Sequence, residues 1–97
     1  MPLRYLFKQT FQKTFDKLDH KDQRLIIKAL EALDEYFETN KAPYGLRVTK
    51  LYGNSSAKTF EARVTINLRI VWVQTKEEVI FSLIGNHDDI RRFLKNL

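Results

Sequence analysis

Arg63, Arg69 and His87 are the residues of this chain whose types and setting best suit work on a phosphate. Arg63 lies in Phe60-Glu61-Ala62-Arg63-Val64, where apolar and polar side chains alternate. A strand there turns Phe60, Ala62 and Val64 toward a core and leaves Glu61, Arg63 and Thr65 on the opposite face. Arg69 opens a second alternating run, with Ile70 and Trp72 on one side and Arg69, Val71 and Val73 on the other. If the two strands pair, both guanidiniums converge on the open face. Together they can hold a phosphate through paired N–H donors and stabilise charge that builds up on it. The competing reading is two arginines that solubilise an exposed face or pair with Glu61. His87 follows a Gly-Asn turn and stands where a last helix begins, at the rim of the same face. Imidazole titrates in the range that suits general acid or base chemistry near neutral pH. Its competing reading is a capping or surface residue. His20, among charged neighbours in a helical turn, reads as surface.

The elements that must position these groups are legible from periodicity. Leu3 to Phe7 is a short first strand in which Tyr5 and Phe7 alternate with Arg4 and Lys8. Phe11, Phe15 and Leu18 fall on one face of a short amphipathic helix. If Phe15 is its buried ring, Phe15→Ala costs about 3–5 kcal/mol. Asp19 can cap a second helix, whose stripe of Ile26, Ala29, Leu30, Leu33 and Phe37 runs to about Thr39. Asn40, Pro43 and Gly45 stop it. After Gly45 the period falls to two. Leu46, Val48 and Leu51 share a strand face, and Gly53-Asn54-Ser55-Ser56 is a turn. Phe60 to Ile66 and Arg69 to Gln74 follow as strands, the first burying Ile66 with Phe60, Ala62 and Val64. Val79 to Ile84 is apolar on both faces and reads as a central strand. Gly85 ends it, and a helix follows with Ile90, Phe93 and Leu94 opposed to Arg91, Arg92 and Lys95. The expected class is α+β, in the order β-α-α-β-β-β-β-α, with an N-terminal helical hairpin packed on an antiparallel sheet and a short C-terminal helix.

Composition narrows the function. Ninety-seven residues, 43% hydrophobic and 30% charged, make one globular domain spanning 1–97. No apolar run reaches the ~20 residues that cross a bilayer, and the N-terminus does not read as a signal peptide. No membrane association is expected. The absence of cysteine removes disulfides and thiolate metal sites and is compatible with a reducing cytoplasm. Two histidines far apart make a metal site or other cofactor unexpected. No phosphate-cradling glycine loop or nucleophile elbow occurs. The net charge is +5, and all of the surplus lies in residues 41–76, where Lys41, Arg47, Lys50, Lys58, Arg63, Arg69 and Lys76 face Glu61 alone. Such a one-sided field suits a phosphate backbone or an acidic protein.

Several stretches carry a family resemblance. They are Phe11-Gln12-Lys13-Thr14-Phe15-Asp16-Lys17-Leu18, the spacing Gly45-Leu46, Lys50-Leu51, Gly53, and Phe60 to Val64 followed by Leu68-Arg69-Ile70-Val71-Trp72. The last is Ile84-Gly85-Asn86-His87 running on to Phe93-Leu94. In this order, and across essentially the whole chain, they resemble the RelE/ParE superfamily of bacterial toxins. The resemblance implies the toxin of a type II toxin–antitoxin pair, neutralised by an acidic antitoxin through which it would also oligomerise. In the RelE-like branch it implies cleavage of mRNA in the ribosomal decoding site by 2′-hydroxyl attack. Arg69 would then stabilise the phosphate and His87 would be the acid or base. Arg63 would line the mRNA groove, and Phe93 would contact a nucleotide. Lys50, Lys58 and Arg91 complete the expected RNA-binding set. Some members carry a lysine base where this chain has Glu61, so Glu61 stands as a candidate carboxylate base. The other branches imply a ParE-like inhibitor of DNA gyrase, or a decayed toxin that only binds its antitoxin.

Overall fold

The computed structural model describes residues 3–41, 45–53 and 56–96. Its elements are β1 (Arg4–Phe7), α1 (Gln9–Lys17), α2 (His20–Thr39), β2 (Arg47–Gly53), β3 (Lys58–Arg63), β4 (Arg69–Gln74), β5 (Glu78–Gly85) and α3 (His87–Lys95). This is the expected α+β order.

The second helix, α2, starts and stops for local reasons. Asp19 caps α2 by accepting a hydrogen bond from the Asp22 N–H at 2.8 Å. Asn40 ends it in the left-handed region (φ 62°), its N–H donating to the Tyr36 carbonyl. Pro43 of the expected stop, and Asn54 and Ser55 of the expected turn, lie outside the described residues. Ile26, Ala29 and Leu33 form the buried stripe of α2, with Leu30 and Phe37 half-buried beside it. In α1 the buried ring is Phe11 rather than Phe15, which is half-buried and packs at the margin of the core.

The sheet runs β1-β5-β4-β3-β2. β2 to β5 form the expected antiparallel meander, and β5 is internal, as its two apolar faces require. β1 departs from that pattern. It pairs with β5 in parallel, from Arg4 opposite Glu78 to Phe7 opposite Phe81, so the sheet is mixed. The first strand returns to the chain's last strand after the helical hairpin, a pairing that local sequence does not encode. Tyr5 adds a tie across the layers by donating to the Asp34 carboxylate of α2. Partial burial, reinforced by that carboxylate, holds its phenol well above the usual tyrosine range.

The core lies between the helices and one face of the sheet, and aromatic rings run across it. Phe7 stacks on Phe81 at 5.0 Å between centroids, and Phe11 stands 5.8 Å from Phe81. Phe60 stacks on the fully buried Trp72 at 5.7 Å, and Phe37 meets Trp72 edge-on. Rings in these offset and edge contacts add to the stabilisation from area burial.

The structure corrects two details of the alternation. Ile66 was expected to continue the buried face of β3. The strand ends at Arg63, however, and residues 64–67 turn, leaving Ile66 76% exposed. β2 carries a bulge between Lys50 and Tyr52, and a larger consequence follows from a second bulge in β5. Val71 pairs with Leu83 but Trp72 pairs with Phe81, so Ser82 is the extra residue. Val79 and Phe81 face the core before it, and Ile84 faces the core after it. The bulge therefore moves Leu83 and Gly85 to the outer face. Ser82 is fully buried, its hydroxyl bonding the Ile80 carbonyl while its own carbonyl accepts from the Thr10 hydroxyl at 2.6 Å.

Candidate active site

The outer face of the sheet is organised by register. Cross-strand partners share a face, so two rows can be read directly. One row holds Arg47, Arg63, Arg69 and Gly85, contributed by β2, β3, β4 and β5. The neighbouring row holds Thr49, Glu61, Val71 and Leu83. The tight turn between β3 and β4 sets Arg63 opposite Arg69, because the Leu68 carbonyl accepts from the N–H groups of both Val64 and Thr65.

α3 delivers the histidine. Asn86 caps the helix with a reciprocal pair of bonds: its side chain accepts from the Asp89 N–H at 2.9 Å, and its own N–H donates to the Asp89 carboxylate at 3.0 Å. His87 is consequently held at the first helical position. The cap needs glycine just before it. A Cβ on Gly85 would lie 2.6 Å from the Asp89 Cβ and 2.8 Å from its carboxylate. Asp89 also receives a hydrogen bond from Arg92.

Glu61, Arg69 and His87 meet at one nitrogen. Arg69 Nη1 donates to Glu61 Oε1 at 3.4 Å and lies 3.1 Å from His87 Nδ1. A guanidinium has only donors, so Nδ1 is the acceptor in that contact and the neutral ring carries its proton on Nε2. The Arg69 and Glu61 side chains are 18% and 14% exposed, so their attraction is less screened than that of a surface pair. Arg69 Nε is buried and has no hydrogen-bond partner among the described residues. His87 is exposed at the edge of the cluster. This arrangement offers an anion three things: a fixed guanidinium, a carboxylate that can take a proton, and an imidazole that can exchange one.

The other expected residues fall elsewhere. Arg63 stands next to Arg69 on the same face. Lys50 pairs with Phe60, and Lys58 lies two residues before Phe60 in β3, so both belong to the helix-covered face, opposite the cluster. Alternation explains the difference: an even step from Phe60 cannot reach the face of Glu61. Phe93 lines a shallow groove with Thr14, Leu83, Ile84 and Arg92, which includes none of Glu61, Arg69 and His87. Arg91 is exposed on α3 beside Asp88 and Lys95. Arg47 was not among the expected site residues, although its alternation with Leu46 and Val48 already put it on the outer side. Among the described residues, no group of three or more His, Asp or Glu side chains could hold a metal ion, and no helix is long and apolar enough to cross a membrane.

No family model matches the sequence, and no curated protein matches it either. Solved structures do match. A chain of the archaeal RelE–RelB complex from Pyrococcus horikoshii OT3 superposes with a TM-score of 0.70 at 15% identity, covering 89% of this chain and 96% of that one. The chain has the RelE/ParE toxin fold. A copper-bound mutant toxin from Helicobacter pylori matches this toxin fold at TM-score 0.69 and 21% identity, with 91% and 98% of the two chains covered. The YoeB dimer from Staphylococcus aureus matches at 0.66 and 15%, with 90% and 99% covered. At these identities the likeness is one of fold. In this toxin fold the row of arginines and the Glu61–Arg69–His87 cluster occupy the sheet face that α1 and α2 leave uncovered.

Proposed function

We propose that this chain is the toxin of a type II toxin–antitoxin module and acts as a ribosome-dependent endoribonuclease on mRNA. The observation that carries the reading is the convergence of Glu61 and His87 on a single Arg69 nitrogen, next to Arg63, in a RelE/ParE fold. The RelE–RelB complex among its structural neighbours supports an antitoxin as partner, and the basic surplus of the chain suits an acidic one.

The chemistry would run as follows. The 2′-oxygen attacks the adjacent phosphorus while Glu61 takes its proton. The new O2′–P bond forms as the P–O5′ bond breaks, and a protonated His87 gives its proton to the leaving 5′-oxygen. The products are a cyclic phosphate and a free 5′-hydroxyl. Arg69 and Arg63 offset the negative charge that builds on the phosphoryl oxygens. Protonation also couples the groups. An imidazolium donates at both nitrogens, so a charged His87 gives up its bond to Arg69, which keeps its ion pair with Glu61.

The test is to induce the protein without its antitoxin and map mRNA 5′ ends, beside a gyrase supercoiling assay. New ends inside translated codons, lost in His87→Ala, are the expected result. Intact mRNA with inhibited gyrase would move the protein to the ParE-like branch. Neither effect, with antitoxin binding retained, would mean a toxin fold without toxicity.

A further inference from the structure

Arg47 on β2, Arg63 on β3 and Arg69 on β4 stand directly opposite one another across three adjacent strands. Strands in a sheet lie about 4.8 Å apart, so the row spans about 10 Å at the backbone. It runs perpendicular to the strands and ends at Gly85, two residues before His87. Exposure rises at its outer end: Arg69 and Arg63 are half-buried and Arg47 is exposed. So does availability. Arg69 is engaged by Glu61 and His87, whereas among the described residues neither Arg63 nor Arg47 has an acidic partner.

Two successive like-charge cross-strand pairs are an arrangement that disfavours folding, since like charges directly opposite repel. A ligand with evenly spaced negative charges removes that penalty. A protein surface of mixed charge does so less well than a phosphodiester backbone, which carries one charge per nucleotide.

We infer that Arg47 is a phosphate-binding residue. Arg47, Arg63 and Arg69 form a track along which single-stranded RNA crosses β2, β3 and β4, with its reacting phosphate at Arg69 and a neighbouring stretch of backbone at Arg47. The inference deepens the ribonuclease reading and rests on its choice of RNA as ligand. It adds a residue outside the reacting centre and a direction for the chain. Contacts of this kind carry position rather than sequence, so Arg47 strengthens binding equally for all sequences.

The full-length protein, its Arg47→Thr variant and a Lys28→Thr control on the exposed side of α2 are titrated with labelled oligouridylate in a short and a longer form, over a range of KCl. For the longer form, Arg47→Thr is expected to weaken binding several-fold at low salt. It should also lower the slope of log affinity against log salt by about 0.7, the value for one phosphate contact on a single strand. The short form, which spans only Arg69 and Arg63, should bind both proteins alike. Lys28→Thr should match the wild type. The melting temperature of Arg47→Thr should equal or exceed that of the wild type, because a repulsive pair is gone. An unchanged slope, an equal loss in the control, or no detectable binding of the longer form by the wild type overturns the inference. Cleavage is scored separately on ribosomes. Binding that follows the track without His87-dependent mRNA ends would sink the ribonuclease reading and leave the track standing. The reverse pattern would sink the track alone.

Discussion

Along β3 and β4, one residue separates two very different environments. On the helix-covered face Ala62, Ile70 and Trp72 are sealed within the core. On the other face Glu61, Arg63 and Arg69 crowd like and unlike charges together, with a buried Arg69 Nε that has no partner among the described residues. The first face removes apolar area from water and stabilises the fold. The second accepts arrangements that cost stability, which is what a surface prepared for a charged ligand would show. The contrast teaches that adjacent residues of one short strand can build the core on one side and gather charge on the other.

Substitutions can break that division or sharpen it. The largest stability effect belongs to the core face: Trp72→Ala should cost about 3–5 kcal/mol in urea unfolding, because the ring is fully buried among other rings. A loss under about 1 kcal/mol would show that the aromatic row is not what holds the helices to the sheet. Gly85→Ala comes next, at the hinge between the faces. Its new methyl group meets Asp89, and overpacking of this kind costs about 1–3 kcal/mol. On the proposed mechanism mRNA cleavage should fall with it, since the cap that holds His87 is displaced. Asn86→Ala removes the capping side chain alone and should cost about 1 kcal/mol. If the chain is the proposed ribonuclease, cleavage by this variant should be reduced but not abolished, and activity equal to wild type would show that His87 does not depend on the cap. His87→Ala is the smallest perturbation of the fold, within about 0.5 kcal/mol of wild type for an exposed residue. On the proposed mechanism it should nonetheless lower mRNA cleavage by about 10²–10⁴-fold, the usual contribution of a general acid or base. A fully active His87→Ala protein would mean that the outer face does its work without the imidazole.

Local signals carried most of the fold. The α2 stripe and its Asp19 cap are energies of one helix, and the Phe60–Arg63 and Ile70–Val73 alternations are properties of single strands, so periodicity exposes them. The same alternation was enough to place Arg63, Glu61 and Arg69 on a common side. Three further features were beyond its reach. Periodicity assigns a face but not a register, so the alignment of Arg47 with Arg63 and Arg69 appeared only once the strands were paired. The parallel return of β1 to β5 joins residues more than seventy positions apart. The Ser82 bulge is marked only by its own serine in an otherwise apolar segment, yet it reverses the facing of everything after it. By sending Ile84 inward and Gly85 outward, it brings the start of α3 to the side of the sheet where Arg69 stands. Sequence by itself determined which residues prefer water and which avoid it, because that preference is written residue by residue. Which polar groups would meet was decided only by tertiary structure, because a single inserted residue in one strand changes the side on which the next element begins.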